Sequence, residues 1–426
     1  MKIIIDNSAY HLGNMGDVAM LQVAVARLRS IWTHASIKII TTAPEKLSEC
    51  FPKTQPLLPD GRQIWVSPLV QRIYRLPSRQ MVQQWANIEW SLRKNSPSFV
   101  RSLIKFKLRN NYEQTKNFGD FIEAICNADL VVATGGGYIT DTFQEHATSV
   151  MDTLGLANIF AKPTVMLGQG LGPLQNQELF TKAKAILPSV NLIALRERRF
   201  GLPLLNSIGV SQDSIITTGD DAIELAYKNR NPELGNAIGV NLRVAQYSNI
   251  DSTLVETVRS ALQDVARKQD SPLIPIPIDH TFYEEHVDPD SVTIQQLLKG
   301  YDNSSDGGKS LDTPFKVIKQ VGRCRVVVTG SYHGGVFALS QGIPVIALAK
   351  SQYYKDKFFG LADQFGFGCE VFLLDEQQLK EKLIDSIHNA WQSAEQLRPH
   401  LLDAAKRQID LGYSVYKRVF ELIEGR

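Results

Sequence analysis

The residue type best suited to acid–base chemistry, histidine, occurs at position 333 in a pattern that indicates a ligand site. Residues 325–329 form an apolar β-branched run, which is typical of a buried parallel strand. A glycine-containing turn and a small-residue helix follow, so we expect His333 in the first turn of that helix. Free backbone N–H groups and the positive end of the helix dipole make such a turn suitable for an anion, phosphate in particular. The alternative is a half-exposed histidine without function, because any α/β protein has several strand-to-helix turns.

A second candidate for anion binding is Arg243, which lies at the carboxyl end of the predicted strand 237–241. An arginine at the carboxyl end of a strand points toward the edge where open α/β sheets bind ligands. Its guanidinium can hold a carboxylate or a phosphate in bidentate fashion. A surface ion pair is the alternative role.

Polar residues near the amino terminus occupy a comparable turn. A Gly-Asn-x-Gly-Asp segment, which contains Asn14 and Asp17, lies between the first predicted strand and the apolar helix 18–28. Asp17 fits the role of a helix N-cap, and a ligand-facing Asn14 or Asp17 is the alternative.

Two glycine-rich segments follow later strands of the first half. Residues 135–137 are glycines, with Asp141 close behind them, and residues 168–173 read Gly-Gln-Gly-Leu-Gly-Pro. Glycines let the backbone approach a ligand closely, although they also form ordinary tight turns. The second segment lacks the spacing and the acidic partner of a dinucleotide site, which we therefore exclude.

Strand-like runs alternate with helical ones, which predicts an α/β protein with parallel sheets built from βαβ units. The predicted strands are residues 2–5, 36–41, 130–133, 164–167 and 192–195, followed by 237–241, 273–277, 325–329 and 345–348. A Pro- and Asn-containing stretch near residue 230 predicts two Rossmann-like domains, 1–230 and 231–400, that face each other across a cleft. Residues 401–426 are expected to form a helix that packs back on the first domain.

Composition restricts the class of protein. The chain has 426 residues, enough for two domains, and a net charge of +2, which is too small to indicate nucleic-acid binding. No apolar run reaches the roughly 18 residues of a membrane span. The four cysteines are scattered, so neither a disulfide framework nor a zinc site is indicated. We expect a cytoplasmic protein, with a peripheral position at the inner face of the membrane as a further alternative.

Residues 71–116 depart from the α/β pattern. Ten lysines and arginines are interleaved there with aromatic residues, against two glutamates. Such an insert suits an anionic membrane surface or a polyanionic acceptor. A solvated helical insert whose aromatic residues pack inward is the alternative.

Taken in their order along the chain, these segments resemble the polysaccharide pyruvyl transferase family. The other matching segments are Arg196-Glu197, Gly219-Asp220-x-Ala222, Asn241-Leu242-Arg243 and Lys357 after Tyr353-Tyr354. The resemblance covers roughly residues 1–366 and implies the glycosyltransferase B-type (GT-B) fold. It also implies transfer of a pyruvyl group from phosphoenolpyruvate to a sugar of a cell-envelope polysaccharide or exopolysaccharide, which gives a pyruvate ketal.

The resemblance further implies roles for single residues. The catalytic candidates are His333, Asp17 and Asp141; the donor-binding candidates are Arg243, Ser331, Tyr332, His333 and Lys357; the acceptor-binding candidates are Asn14, Gly136, Gly137 and Gln169. Ser331 stands where the family's turn has arginine, so Lys350, Lys355 or Lys357 replaces that cation, or the donor differs. The implied partners are phosphoenolpyruvate and a sugar or lipid-linked oligosaccharide, and the scheme requires no metal and no cofactor.

Two other functions fit the sequence. One is a GT-B glycosyltransferase that uses a nucleotide sugar, although Thr329 and Phe337 occupy positions where retaining members often have two carboxylates. The other is a non-catalytic relative in polysaccharide assembly, which the serine at position 331 keeps open. The acceptor sugar and the oligomeric state are not determined by these patterns.

Overall fold

The computed structural model describes residues 1–70, 79–281 and 289–425. The first half of the protein is built on a parallel sheet. The strands are β1 (Lys2–Asp6), β2 (Ser36–Ile40), β3 (Gln55–Leu57), β4 (Leu130–Ala133), β5 (Gly136–Ile139), β6 (Thr164–Leu171), β7 (Leu192–Leu195) and β8 (Ile215–Thr217). They lie in the order β3-β2-β1-β4-β6-β7-β8, with β5 beside β6. The central strands are apolar and buried on both faces, as a parallel sheet covered by helices on both sides requires.

Helices cover both faces of this sheet. They are α1 (Met15–Ile31), α2 (Pro44–Cys50), α3 (Asp60–Val66), α4 (Arg79–Asn95), α5 (Pro97–Leu108), α6 (Tyr112–Cys126), α7 (Gln144–Ile159), α8 (Gln177–Ile186), α9 (Gly201–Ser207) and α10 (Ala222–Lys228). The Oδ1 atom of Asn14 accepts hydrogen bonds from the N–H groups of Gly16 and Asp17, at 3.0 and 3.2 Å. The N-cap of α1 is therefore Asn14 and not Asp17, because the helix begins earlier than its apolar pattern.

The two glycine segments that were expected to be loops belong partly to strands. β5 contains Gly136 and Gly137, and β6 continues past Gly168 to Leu171. Gly168 has a φ of +61° and lies at a register shift between β6 and β7. Such a bulge is accessible to glycine at little cost, so the strand passes through the expected loop. Gln169 consequently lies inside the sheet.

The second half is built on a smaller parallel sheet. Its strands are β9 (Ala237–Asn241), β10 (Leu273–Pro275), β11 (Cys324–Thr329), β12 (Val345–Ala349) and β13 (Cys369–Leu373), in the order β10-β9-β11-β12-β13. Its helices are α11 (Ser252–Gln269), α12 (Asp290–Leu298), α13 (Pro314–Val321), α14 (Tyr332–Ser340) and α15 (Gln352–Phe365). The strand order reverses between β9 and β11, and open α/β sheets bind ligands at such a switch point.

One long helix, α16 (Leu379–Glu424), ends the described chain and begins well before residue 401. Leu383 and Ile387 pack into a core of the second sheet. Val415 and Val419 pack into a core of the first sheet. A single helix therefore joins both sheets. Among the described residues, no helix combines the length and the apolar character that crossing a lipid bilayer requires.

Backbone hydrogen bonds join the two halves at the edge where the strands end. The N–H of Met15 donates to the carbonyl of Ile278 at 2.7 Å, and the N–H of His280 donates to the carbonyl of Gly13 at 3.0 Å. These bonds hold the amino end of α1 against the second sheet.

The basic insert is helical in its described part, and its residues 71–78 lie outside the described residues. α4 is attached to the end of α3, since Arg93 donates from Nε to the carbonyl of Trp65 at 3.0 Å and Glu89 accepts from the N–H of Leu69 at 3.0 Å. Not all aromatic side chains pack inward: Phe99 and Phe106 on α5 are 59% and 63% exposed.

Candidate active site

A cleft of about 930 Å³ opens between the carboxyl ends of the two sheets. Nine of the eleven residues predicted from the sequence line it, namely Asn14, Asp17, Gly137, Asp141, Arg243, Ser331, Tyr332, His333 and Lys357. Gly136 and Gln169 are not part of its walls. Because parallel strands of one sheet end at the same edge, two facing sheets bring residues from distant motifs together.

His333 lies in the first turn of α14, directly after β11. It is 7% exposed, and within the described residues its Nε2 atom has no hydrogen-bond partner. Asp220 Oδ2 lies 3.6 Å from Nε2, a distance that permits an ion pair but exceeds a hydrogen bond. Asp220 belongs to the first half, so both halves of the protein meet at this histidine.

The glycine at position 16 makes room for His333. A Cβ atom at Gly16 would lie 1.9 Å from His333 Cγ, which is far inside van der Waals contact. The Gly-Asn-x-Gly-Asp motif therefore combines a helix cap at Asn14 with a close approach of α1 to the histidine.

Asp17, the last residue of that motif, has an environment that favours its protonated form. Burial raises the pKa of Asp17, and the nearby His333 and Lys357 oppose this effect only in part. A carboxyl group that keeps its proton at higher pH than usual is suited to general acid catalysis.

Arg243 lines the same cleft, but two carboxylates already engage its guanidinium. Nη1 donates to Asp290 Oδ1 at 2.9 Å and Nη2 donates to Asp279 Oδ2 at 2.8 Å, while the Tyr247 hydroxyl lies 3.4 Å from Nε. Asp279 follows β10 and Asp290 begins α12. Both are remote from Arg243 in the chain, so these ion pairs could not be predicted from the spacing of residues in the sequence. The edge of the second sheet thus carries a buried ion network.

Arg196 also lines the cleft, although no role was predicted for its side chain. It directly follows β7, and its guanidinium carbon lies 4.0 Å from the centroid of the Tyr332 ring. Its Nη1 donates to Asp220 Oδ2 at 3.4 Å. The signal that could have identified Arg196 is its place at the carboxyl end of a strand, the same feature that singled out Arg243.

Of the three lysines proposed to replace an arginine at position 331, all of them described, Lys357 is the one that lines the cleft. Lys350 and Lys355 instead lie near Asp251 and Asp375, at 3.7 and 3.2 Å. Lys357 donates to the Tyr353 hydroxyl, and its Nζ lies 4.0 Å from that ring's centroid. Burial and the neighbouring Arg196 lower the pKa of Lys357 well below its usual value.

Gln169 does not face the cleft, which corrects its expected place among the acceptor-binding residues. Its side chain is fully buried, and Nε2 donates to the Thr134 carbonyl at 2.7 Å and to the Tyr138 hydroxyl at 3.1 Å. Gly136 lies behind the wall, where a Cβ atom would come within 2.6 Å of Ser8 Cβ. The hydrogen bonds of Gln169 support the glycine loop after β4, and neither residue lines the cleft.

Asp141 lies in the cleft wall, but its carboxylate is used for loop structure. Oδ2 accepts from the N–H of Gln175 at 2.6 Å, and Oδ1 accepts from the N–H of Asn176 at 3.0 Å. These bonds anchor the segment that follows β6, which makes Asp141 a weaker candidate for proton transfer than Asp17.

The first half also contributes a polar wall that the motifs did not reveal. Tyr10 and Arg62 line this wall, and the fully buried Asp6 behind them accepts from the Tyr10 hydroxyl at 2.7 Å and from Arg62 Nη1 at 3.1 Å. His146 Nε2 lies 3.0 Å from the carbonyl of Asn7, and burial lowers the pKa of this histidine. Further polar residues of the wall are His11, Thr42, Gln63, Gln144, Glu145 and Ser149. Hydroxyl, amide and imidazole groups of this kind can hydrogen-bond to sugar hydroxyls.

Solved structures similar to the chain are GT-B glycosyltransferases and epimerases. A putative UDP-N-acetylglucosamine 2-epimerase from Listeria monocytogenes is 12% identical, with 100% of this chain and 97% of that chain covered and a TM-score of 0.57. Arabidopsis thaliana UGT89C1, complexed with UDP-L-rhamnose, is 8% identical, with 99% and 98% covered and a TM-score of 0.51. At these identities the similarity establishes the fold alone, which is the predicted arrangement of two Rossmann-like domains.

Among curated proteins, no sequence matches the chain. The sequence model of the polysaccharide pyruvyl transferase family, in contrast, matches residues 14–352. That span contains the helix cap at Asn14, both strand-end arginines and the His333 turn, all of which line the cleft described above. The chain therefore belongs to the polysaccharide pyruvyl transferase family and is a transferase.

Proposed function

We propose that the protein transfers a pyruvyl group from phosphoenolpyruvate to two hydroxyls of a sugar in a cell-envelope polysaccharide or exopolysaccharide, and so forms a pyruvate ketal. The observation that carries this proposal is the buried His333, whose Nε2 lacks a hydrogen-bond partner within the described residues, in the first turn of a helix at the cleft. Backbone N–H groups at that turn suit the donor's phosphate or carboxylate. Membership of the family supports the same reaction.

The reaction balances with groups that a protein of this kind supplies. A proton added to C3 of phosphoenolpyruvate makes C2 electrophilic, and one sugar hydroxyl attacks C2 as it loses its proton. The bond between C2 and the phosphate oxygen then breaks, and the second hydroxyl attacks C2 as it loses its own proton. Of the two protons released, one replaces the proton given to C3 and the other leaves with hydrogen phosphate.

Two residues are assigned to these proton transfers. Asp17 donates the proton to C3, because burial raises the pKa of its carboxyl group. His333 accepts a proton from an attacking hydroxyl. Asp220, which lies 3.6 Å from Nε2, stabilises the imidazolium that forms.

The acceptor sugar is assigned to the polar wall of the first half. That wall includes Arg62 and Gln63 of α3. At the carboxyl end of the same short helix, the carbonyl of Trp65 accepts a hydrogen bond from Arg93 of α4. On the neighbouring α5, exposed Phe99 and Phe106 lie close in sequence to Lys105. Aromatic and basic side chains together favour an anionic membrane surface, so a peripheral position there brings a lipid-linked acceptor to the sugar-binding wall.

The test is to incubate the purified protein with phosphoenolpyruvate and candidate sugar acceptors. We expect one phosphate released for each ketal formed, measured by a phosphate assay and by mass spectrometry of the acceptor. Release of a nucleotide from a nucleotide sugar instead, with transfer of the sugar, contradicts the proposal and supports a glycosyltransferase. Absence of both reactions with every acceptor supports the non-catalytic alternative.

A further inference from the structure

We infer that α16 positions the Asp220 carboxylate, which faces His333, and that it does so through the buried Arg27 of α1. Arg27 and Gly412 of α16 are then positioning residues, since they act through Asp220 and are not among the residues that line the cleft. The part of the chain that matches the family model ends at residue 352, so α16 lies beyond it. The part of Asp220 in proton transfer rests on the proposed function, whereas the contacts that hold this carboxylate do not.

The Asp220 carboxylate is held only loosely by its partners in the cleft. Its Oδ2 atom lies 3.6 Å from His333 Nε2 and 3.4 Å from Arg196 Nη1, and both distances are long for hydrogen bonds between charged groups. Its Oδ1 atom accepts from the N–H of Ala222 at 2.9 Å, within its own turn. The distance from Asp220 to His333 is therefore set by the position of this turn and of α10, which begins at Ala222.

Arg27 holds the residues that follow Asp220. Its Nη1 atom donates to Asp221 Oδ1 at 3.1 Å, and its Nε atom donates to Glu224 Oε2 at 2.7 Å. All three of these side chains are buried. Because the amino end of α1 also packs against His333, one helix carries both a contact to the imidazole and the residue that holds the Asp220 turn.

α16 encloses the Arg27 guanidinium. The guanidinium carbon lies 4.7 Å from the centroid of the Tyr413 ring and 5.1 Å from that of the Tyr416 ring. The Tyr413 hydroxyl donates to Glu224 Oε1 at 2.7 Å, which ties α16 to α10. A Cβ atom at Gly412 would lie 2.5 Å from Arg27 Nη1. Glycine at this place in α16 therefore allows the guanidinium to take the position that it has.

A second contact of α16 reaches the Asp220 turn directly. Gly219, the residue before Asp220, has a φ of +102°, and a Cβ atom there would lie 2.3 Å from Gln408 Oε1. Gln408 and Gly412 are four residues apart, so they lie on the same face of α16. That face therefore contacts the turn directly, at the residue before Asp220, and through Arg27, at the residue after it.

The charges of this cluster explain why the position of Arg27 matters to Asp220. Three carboxylates, those of Asp220, Asp221 and Glu224, lie within five residues of the chain. Burial raises the pKa of Asp221 to about 6, and Arg27 opposes this effect. If the guanidinium is displaced, Asp221 and Glu224 must repel Asp220 or take up protons. Either response changes the surroundings of the carboxylate that faces His333.

The experiment places Gly412→Ala in the full chain. Alanine favours a helix more than glycine does, so α16 should be kept, while the added methyl group displaces the Arg27 guanidinium. We expect kcat for ketal formation to fall by about 10- to 100-fold, since a displacement of about 1 Å near the reacting groups can cost that much. In histidine-labelled protein at fixed pH, the NMR signals of the His333 imidazole, identified by their loss in His333→Asn, should also shift, because Asp220 changes its distance from that ring.

Gly119→Ala on α6 is the matched control, because a Cβ atom at that helical glycine would meet no neighbouring element of the described chain within 4 Å. It should leave kcat and the His333 signals at their wild-type values. Arg27→Lys is the second test variant, since it keeps the charge but loses the fork that contacts two carboxylates at once. It should change both measurements in the same direction as Gly412→Ala. If one of the two does not fold, as judged by circular dichroism, the other decides.

The two measurements separate a positioning role from a purely structural one. If Gly412→Ala and Arg27→Lys lower the free energy of unfolding but leave the His333 signals and kcat unchanged, the cluster only stabilises the fold and the inference is wrong. An equal shift of the His333 signals in Gly119→Ala would also overturn it.

The same variants separate this inference from the proposed function. If the wild type releases no phosphate from phosphoenolpyruvate with any acceptor, but the His333 signals shift in Gly412→Ala and Arg27→Lys, the function fails and the positioning role stands. If the wild type forms the ketal and both variants keep its kcat and its His333 signals, the function stands and the positioning role is wrong.

Discussion

Each half of the molecule presents an arginine at the cleft from the carboxyl end of a strand, yet the two arginines have different electrostatic surroundings. Arg243 contacts two carboxylates, at 2.8 and 2.9 Å. Arg196 contacts one, at 3.4 Å, and has Lys357 as its neighbour. Equivalent places in the fold therefore do not give the two arginines equivalent charge neutralisation. An arginine held by two buried carboxylates has less positive charge left uncompensated than one that faces a single carboxylate.

The largest effect is expected at His333, where the two halves meet. His333→Asn keeps the approximate size of the side chain but cannot accept and return a proton. We expect kcat for ketal formation to fall by about 10²–10⁴-fold, the usual contribution of a general acid or base, with little change in the KM for phosphoenolpyruvate. His400→Asn, on the exposed side of α16, is the control. A raised KM with an intact kcat would show that His333 only binds the anion.

The contrast between the two arginines predicts different costs in stability. Arg243→Met leaves Asp279 and Asp290 buried without their cation, which should lower the free energy of unfolding by about 3–5 kcal/mol. Arg196→Met should cost less, because Asp220 still faces His333. Urea denaturation monitored by fluorescence measures both variants. A greater loss in Arg196→Met than in Arg243→Met would contradict the comparison.

Asp17, on the first-half side of the cleft, should show its role through pH. Because burial raises the pKa of Asp17, its protonated form stabilises the folded state at low pH, and this stabilisation is lost as pH rises through the folded-state pKa. Asp17→Asn should therefore raise the thermal midpoint relative to the wild type at pH 8 but not near pH 3. It should also lower kcat at neutral pH by about 10²-fold. If Asp17→Asn has a lower thermal midpoint than the wild type at pH 8, the predicted direction of the stability change is wrong.

The smallest effect concerns two exposed helices, one in each half. Arg101→Glu with Lys105→Glu on α5 should weaken binding to phosphatidylserine vesicles, since each basic residue near such a surface contributes about 1 kcal/mol. Lys316→Glu with Lys319→Glu on α13 is the matched control, because Phe315 beside them is also exposed, at 52%. Co-sedimentation at low and high salt measures both. Equal binding by the two double variants would show that α5 has no special affinity for the membrane.

Structural features that depend only on residues close together in the chain could be predicted from the sequence. The apolar runs that became β1, β4, β7 and β11 are recognisable because a buried parallel strand must be apolar on both faces. The first-turn position of His333 follows from the strand and the glycine before it. The position of Gln169 inside the sheet could not be predicted, because the bulge at Gly168 depends on pairing with another strand, which no local pattern records.

The strands, the turns at which they end and nine of the residues that line the cleft could be predicted from the sequence, because local pattern and strand direction decide these features. Which partners each charged group contacts in the cleft depends on the tertiary structure. Asp279 and Asp290 reach Arg243 from separate segments, and Arg196 meets Lys357 across the two halves. Electrostatic balance depends on distances between atoms that are remote in the chain, so it exists only once both sheets and α16 have packed together.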